Sequence, residues 1–425
     1  MFNIPKGYPH FYFNNKTLYA EKVSLEKIAK KLGTPLYVYS LEAIRNSWSV
    51  YQEAINNSNS LICYGMKANS NIAILKEFSK LGSGFDIVSG GELLKLISIG
   101  ATPEKIVFSG VGKQLWEMKL ALENNIKCFN IESEEELYVL SDLAISMKKR
   151  APISIRINPD IDAQTHPYIS TALKESKFGI SIDKAVSTYR IAKKLSGLNI
   201  IGIDCHIGSQ LTHIEPYLDA LNKLIPLIKK LTEEEISIKT LDLGGGLGIC
   251  YQKEQIISPT TLLENINTCL NYNNLSHLQL ILEPGRSLIG NAGILLTTVQ
   301  YIKSNELENL VIVDAGMNDL LRPALYQAYH GLQPITPREG KFKKYSVAGP
   351  ICESADFFSK KCELSPIYRD DIIAIESAGA YGMTMSSNYN SRFRASEVIV
   401  DKNKYYIVRQ RETLKELLQG ESVIP

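Results

Sequence analysis

One feature constrains this chain more than any other: short apolar runs alternate with longer stretches of helical spacing. Eight such runs fall at 61–64, 85–88, 106–108, 127–131, 153–157, 200–205, 240–243 and 279–282. Between them lie amphipathic stretches such as 71–81, 133–149, 183–195 and 215–231. Some have cap-like starts, Ser133 with Glu136 and Asp183 with Val186, which predict helix N-termini there. Strand and helix in alternation imply a parallel sheet. Eight repeats within residues 36–285 match the ~250-residue size of a (β/α)8 barrel.

After residue 286 the pattern changes. Runs at 294–302, 310–313, 344–347, 371–375, 397–400 and 404–408 are short, β-branched and separated by turns, which predicts a mostly antiparallel β domain. Residues 1–35 stand outside the barrel pattern. Residues 11–19 read as a hairpin turning at Asn14-Asn15 and are expected to pair with the C-terminal strands. The expected organisation is therefore a barrel over 36–285 and a β domain from 1–35 and 286–425. The acidic run Glu134-Glu135-Glu136 is expected to be a solvated helix start.

With 47 basic and 45 acidic residues, the near-neutral balance argues against nucleic acid or a membrane surface as the main partner. No apolar run approaches the roughly 20 residues that span a bilayer, and the first residues lack the apolar stretch of a signal peptide. Seven cysteines without paired spacing fit a reducing compartment, so the expected location is the cytoplasm. Cys-x-x-Cys and His-x-x-x-His patterns do not occur, so no built-in metal site is expected.

In such a barrel the chemistry gathers at the carboxyl ends of the strands. The first run leads to Lys67 and the second contains Asp86. The fifth carries Arg156 and Asn158, and the sixth leads to His206 and Ser209. The seventh leads to Gly244, Gly245 and Gly246, and the eighth to Glu283, Pro284, Gly285 and Arg286. A lysine behind a buried strand is a candidate Schiff-base former, because burial favours its uncharged, nucleophilic amine. Glycine turns let backbone N–H groups approach a phosphate. Glu283 can keep a pyridinium nitrogen protonated, and His206 has a flat face for a ring. Farther on, Cys352 and Glu353 in Gly349-Pro350-Ile351-Cys352-Glu353-Ser354 offer a thiol proton donor, mostly protonated at neutral pH when unperturbed, beside an acid suited to an ammonium.

These segments carry a family resemblance. Tyr64-Gly65-Met66-Lys67-Ala68-Asn69, Phe85-Asp86-Ile87-Val88-Ser89-Gly90-Gly91-Glu92, His206-Ile207-Gly208-Ser209-Gln210, Gly244-Gly245-Gly246-Leu247-Gly248 and Glu283-Pro284-Gly285-Arg286 resemble the fold-type III pyridoxal-phosphate-dependent decarboxylases. Three later segments are similar to the branch of that family acting on meso-2,6-diaminopimelate: Asp314-Ala315-Gly316-Met317-Asn318-Asp319-Leu320-Leu321-Arg322-Pro323-Ala324-Leu325-Tyr326, the Cys352-Glu353 segment, and Gly379-Ala380-Tyr381-Gly382-Met383. Departures at Ala355, Phe357-Phe358 and Cys362 touch no position with an implied role.

The resemblance implies an enzyme that converts meso-diaminopimelate to L-lysine and carbon dioxide, the last step of lysine synthesis. It implies pyridoxal 5′-phosphate attached to Lys67, stacked on His206 and paired through its ring nitrogen with Glu283. Asp86, Ser209, Gly244–Gly246, Pro284, Gly285 and Arg286 would complete the cofactor site. Arg286, Arg322 and Tyr326 would bind a substrate carboxylate, Glu353 would grip the substrate, Cys352 would donate the proton, and Tyr381 would touch cofactor and substrate. Cys352 and Glu353 would come from the neighbouring subunit of a homodimer. Two arginines argue for a substrate with a distal carboxylate. The competing readings are a decarboxylase of ornithine, arginine or carboxynorspermidine, an alanine racemase, and a non-catalytic relative that binds the cofactor.

Overall fold

The computed structural model describes residues 4–55, 58–161, 177–304 and 309–425. It divides into two compact units. One comprises Met1–Ser47, Cys250–Glu254 and Leu288–Pro425; the other comprises Trp48–Ile249 and Gln255–Ser287.

The second of these is a closed barrel. Its parallel strands are Ser60–Gly65, Gly84–Ile87, Ile106–Phe108, Cys128–Ile131, Ala151–Asn158, Leu198–Asp204, Thr240–Asp242 and Gln279–Leu282. Each pairs with the next, and Gln279–Leu282 pairs back to Ser60–Gly65. All eight lie within two residues of the expected runs. They are legible because a strand covered on both faces reads as a nearly continuous apolar run. Cys63, Val107, Cys128 and Ile281 meet in one buried cluster, with Leu61 and Ile201 against it. Gly202 marks a register shift in the sixth strand. A Cβ there would lie 2.0 Å from Thr240 Oγ1 and 2.3 Å from Ser154 Oγ, so only glycine lets the neighbouring strands close at that level.

The outer helices begin where short polar side chains cap them. Asn71 Oδ1 accepts from Ala73 N–H, Ser89 Oγ from Glu92 N–H and Ser133 Oγ from Glu136 N–H, satisfying donors that the first turn leaves over. Two expectations need correction. The helix Ile182–Lys194 starts after Ser181 without a side-chain cap, so Asp183 lies in its first turn instead of capping it. Of the acidic run, Glu136 is not solvated: its Oε1 lies 2.7 Å from the Nζ of buried Lys113, and Glu134 accepts from Thr188 Oγ1.

The other unit is built on a nine-stranded, mostly antiparallel sheet, as expected. Its longest strand, Gly293–Ser304, pairs antiparallel with Leu36–Ser40, Asn309–Val313 and Ile372–Ile375. Leu36–Ser40 also pairs in parallel with Ser396–Asp401, so these residues stand in this sheet and not in the barrel. The N-terminal hairpin turns at Asn15-Lys16, one residue later than expected: Asn14 pairs with Thr17, and φ is +46° at Asn15 and +65° at Lys16. The hairpin belongs to a separate three-stranded sheet with Val23–Ser24. Leu18 N–H donates to Ile335 O and Lys22 N–H to Lys402 O, and Phe11, Leu18, Leu25 and Ile28 share a core with Leu36, Val38, Ile294, Leu296 and Val398.

Candidate active site

At the mouth of the barrel the turn after the first strand is tied to both neighbours. Gly65 N–H donates to Pro284 O and Met66 N–H to Asp86 O. This sets Lys67 inward, with its Nζ 2.7 Å from Asp86 Oδ2; the lysine side chain is 36% exposed and the aspartate 0%. Asp86 thus holds the amine in place, and its Oδ1 has no hydrogen-bond partner among the described residues.

Carboxylates crowd this level. Asp204, Asp242 and Glu283 end or follow the sixth, seventh and eighth strands, and all are buried. Burial raises Asp204 and Glu283 well above the usual carboxylate range, with Asp242 the next cause for each. Burial likewise raises Asp242 to about 6, opposed by the Gly244 N–H that it accepts at 2.8 Å. Arg156 is a cation set among them: its Nη1 lies 2.9 Å from Glu132 Oε1 and its Nε lies 3.9 Å from Asp204 Oδ2. Asp204 Oδ1, Asp242 Oδ2 and Glu283 Oε1 have no hydrogen-bond partner among the described residues. A buried carboxyl oxygen left unpaired is costly, and a protonated ring nitrogen reaching Glu283 would satisfy it. Asn158, picked out beside Arg156 in the sequence, turns to the backbone and accepts from Asp160 N–H.

The glycine turn is required by packing. Gly244 has φ +64°, and its Cβ would lie 2.5 Å from His206 Nδ1; a Cβ on Gly245 would lie 2.2 Å from Glu283 O. Gly245 N–H donates to His206 Nδ1 at 3.1 Å. The ring proton therefore sits on Nε2. Burial, then Lys67 and Arg156, hold the imidazole pKa well below its usual value, so His206 presents a neutral flat face. Arg286, 5% exposed, donates from Nη2 to Ser209 Oγ at 2.8 Å. A guanidinium, a hydroxyl and a glycine turn together form a donor set suited to phosphate. The donors, the neutral ring, the amine and the unpartnered Glu283 oxygen fit a phosphorylated pyridine aldehyde.

The remaining expected residues lie in the sheet unit. Arg322 and Tyr326 bracket the helix Arg322–Tyr326. Arg322 is buried; its Nη1 lies 2.9 Å from His330 Nε2, and its guanidinium carbon lies 4.8 Å from the centre of the Tyr251 ring. Cys352 and Glu353 are exposed on a loop shaped by the buried Asp356 carboxylate, which accepts from Met317 N–H at 2.7 Å and Ile351 N–H at 2.8 Å. Cys352 N–H donates to Asn390 Oδ1. Tyr381 sits at φ +56°, a conformation a bulky side chain holds only where its surroundings enforce it. Reading the sequence missed Glu132, Asp204, Tyr251 and His330. Asp204 was within reach, since it ends a strand two residues before His206; Glu132 reaches Arg156 within the barrel unit, and Tyr251 and His330 reach Arg322 within the sheet unit, through tertiary contacts alone.

Comparison with known proteins follows the same lines. Residues 41–290 match the family described as pyridoxal-dependent decarboxylase, pyridoxal binding domain. The diaminopimelate decarboxylase of Vibrio cholerae is 49% identical over 97% of this chain and 99% of its own length. That of Aquifex aeolicus is 45% identical over 95% of each. Among solved structures, diaminopimelate decarboxylase from M. jannaschii in co-complex with L-lysine superposes with a TM-score of 0.94 at 38% identity, covering 99% of both chains. The Helicobacter pylori enzyme complexed with L-lysine gives 0.89 at 43% identity, covering 93% of this chain and 98% of that one.

Proposed function

The chain belongs to the diaminopimelate decarboxylase family, and from that premise we propose that it binds pyridoxal 5′-phosphate in its barrel and converts meso-2,6-diaminopimelate to L-lysine and carbon dioxide. The observation that carries the reading is the gathering at one barrel mouth of the Lys67 amine against Asp86, the neutral His206 ring, the Arg286–Ser209 pair and the unpartnered Glu283 oxygen.

Lys67 is the amine that attaches the cofactor, and Asp86 keeps it aligned. His206 backs the ring, Glu283 accepts a hydrogen bond from its protonated nitrogen and keeps that proton in place, and Ser209, Gly244–Gly246 and the backbone from Glu283 to Arg286 hold the phosphate. Bound there, pyridoxal phosphate supplies the electron sink that decarboxylation requires. Arg286, Arg322 and Tyr326 read a substrate carboxylate, Glu353 its ammonium, and Tyr381 orients cofactor and substrate. Cys352 delivers a proton to the carbon that loses the carboxylate.

The exposure of Cys352 and Glu353 on a fixed loop supports a homodimer in which this loop of one subunit serves the barrel of the other. Seven free cysteines support a reducing, cytoplasmic setting, and no helix among the described residues is long and apolar enough to cross a membrane.

The test is carbon dioxide release from meso-diaminopimelate, ornithine, arginine and carboxynorspermidine, each with added pyridoxal phosphate. Turnover on diaminopimelate alone is expected; faster turnover on any of the other three overturns the substrate assignment.

A further inference from the structure

We propose that His330 and Tyr251 are positioning residues for Arg322, fixing the direction in which its guanidinium meets a substrate carboxylate. The proposal rests on the reading of Arg322 as a carboxylate reader.

The hydrogen-bond chemistry leaves one arrangement. His330 Nδ1 lies 2.8 Å from the backbone oxygen of Glu376. A carbonyl only accepts, so Nδ1 carries the proton and donates. Nε2 then bears the lone pair and accepts from Arg322 Nη1–H at 2.9 Å, as it must, because a guanidinium has only donors. Both ring nitrogens are engaged and His330 is 1% exposed, so this residue acts through Arg322 and not on a ligand directly.

Tyr251 closes the arrangement from the side. Its ring lies 4.8 Å from the Arg322 guanidinium carbon and edge-on to His330, with centroids 5.4 Å apart at 76°. Its own loop is pinned. Tyr251 N–H and Gln252 N–H donate to Glu254 Oε2, and Lys6 Nζ donates to Gln252 O at 3.0 Å. Behind His330, Glu376 N–H donates to Gly331 O at 2.8 Å.

The character of these two partners carries the inference. A neutral imidazole acceptor and an aromatic face orient the fork without adding a negative charge of their own. A long side chain ordered in advance need not lose its rotamer freedom on binding.

The test compares two ligands of the holoenzyme by titration calorimetry. L-lysine keeps a carboxylate, and cadaverine is the same amine without it. His330→Ala is expected to weaken L-lysine binding about tenfold, the lower end of what one hydrogen bond to a charged group contributes, and to leave cadaverine binding and the cofactor absorbance unchanged. KM for diaminopimelate should rise by a similar factor, with kcat changing far less. His330→Gln, whose amide oxygen can accept from Arg322, should recover most of the loss. Arg322→Ala is the control. If it leaves L-lysine binding unchanged, the carboxylate-reader assignment falls. If it weakens L-lysine while His330→Ala and Tyr251→Leu do not, the reader stands and the positioning proposal is overturned. Should His330→Ala fail to fold, Tyr251→Leu carries the same comparison through the ring contact.

Discussion

Replacing Lys67 by alanine should do two separate things, and the structure allows them to be told apart. The Lys67–Asp86 pair closes at 2.7 Å with the aspartate fully buried. At that distance an effective dielectric of about 20 gives ~6 kcal/mol of gross attraction, most of it offset by the cost of burying the carboxylate. Removing one member of a buried pair typically costs about 3–5 kcal/mol. Lys67 is 36% exposed, so water screens part of the interaction, and we expect the cofactor-stripped Lys67→Ala protein to lose about 2–3 kcal/mol. The cause is the stranded carboxylate, whose Oδ1 already has no hydrogen-bond partner among the described residues. Asp86→Asn added to Lys67→Ala should therefore bring stability back to within about 1 kcal/mol of the native chain. Urea denaturation of the cofactor-stripped proteins at pH 7, followed by circular dichroism, measures all three. A double variant as unstable as Lys67→Ala would refute the reasoning. The same double variant is the proper background for the chemical test: folded, it should still lack the cofactor absorbance, and a yellow, active protein would remove Lys67 from its assigned role.

Cys352→Ala should lower turnover on diaminopimelate by at least about a hundredfold, in the range of general acid catalysis, while cofactor absorbance is retained; equal turnover would end the proton-donor assignment. Mixed dimers of Lys67→Ala and Cys352→Ala subunits should regain part of the native rate, and heterodimers that form but stay inactive would exclude sharing of the loop between subunits. Burial raises Asp319 from 3.8 to about 7. The folded chain therefore holds a proton there that the unfolded chain has released at neutral pH, and stability falls as pH rises through 7. From pH 6 to 8 this residue alone should cost about 1.4 kcal/mol. Asp319→Asn, which can still accept from Gly316 N–H as Oδ2 does at 3.0 Å, should remove that part of the slope in urea titrations, and an unchanged slope counts against the assignment.

What was legible in the sequence follows from how local each cause is. Barrel strands announce themselves because both faces are covered and the runs are nearly continuous in apolar residues. Ser133 was recognisable as a cap because its partner is three residues away. The hairpin turn was missed by one residue because Asn14 and Asn15 both suit left-handed backbone, and only the pairing of Asn14 with Thr17 chooses between them. Leu36–Ser40, an apolar run leading into a helix, has the local look of another barrel repeat. Its partner strand begins at Gly293, and nothing within a short window reports that pairing. The strand-end residues around Lys67 could be collected by position alone. The Tyr251–His330–Arg322 contacts could not, because they join three points of the chain that have no spacing in common.

The division of the chain also bears on how it can be dissected. Cys250–Glu254 belongs with the sheet unit although barrel residues flank it on both sides, so the backbone passes from one unit to the other at 47/48, 249/250, 254/255 and 287/288. No single cut, and no simple pair of cuts, releases either unit whole. A fragment spanning 48–287 would carry Tyr251 away from Arg322 and His330, and the complementary pieces would keep the arginine without the ring that covers it. Studies of the separate units therefore call for grafting this five-residue strip along with its partners rather than trimming the chain at either end.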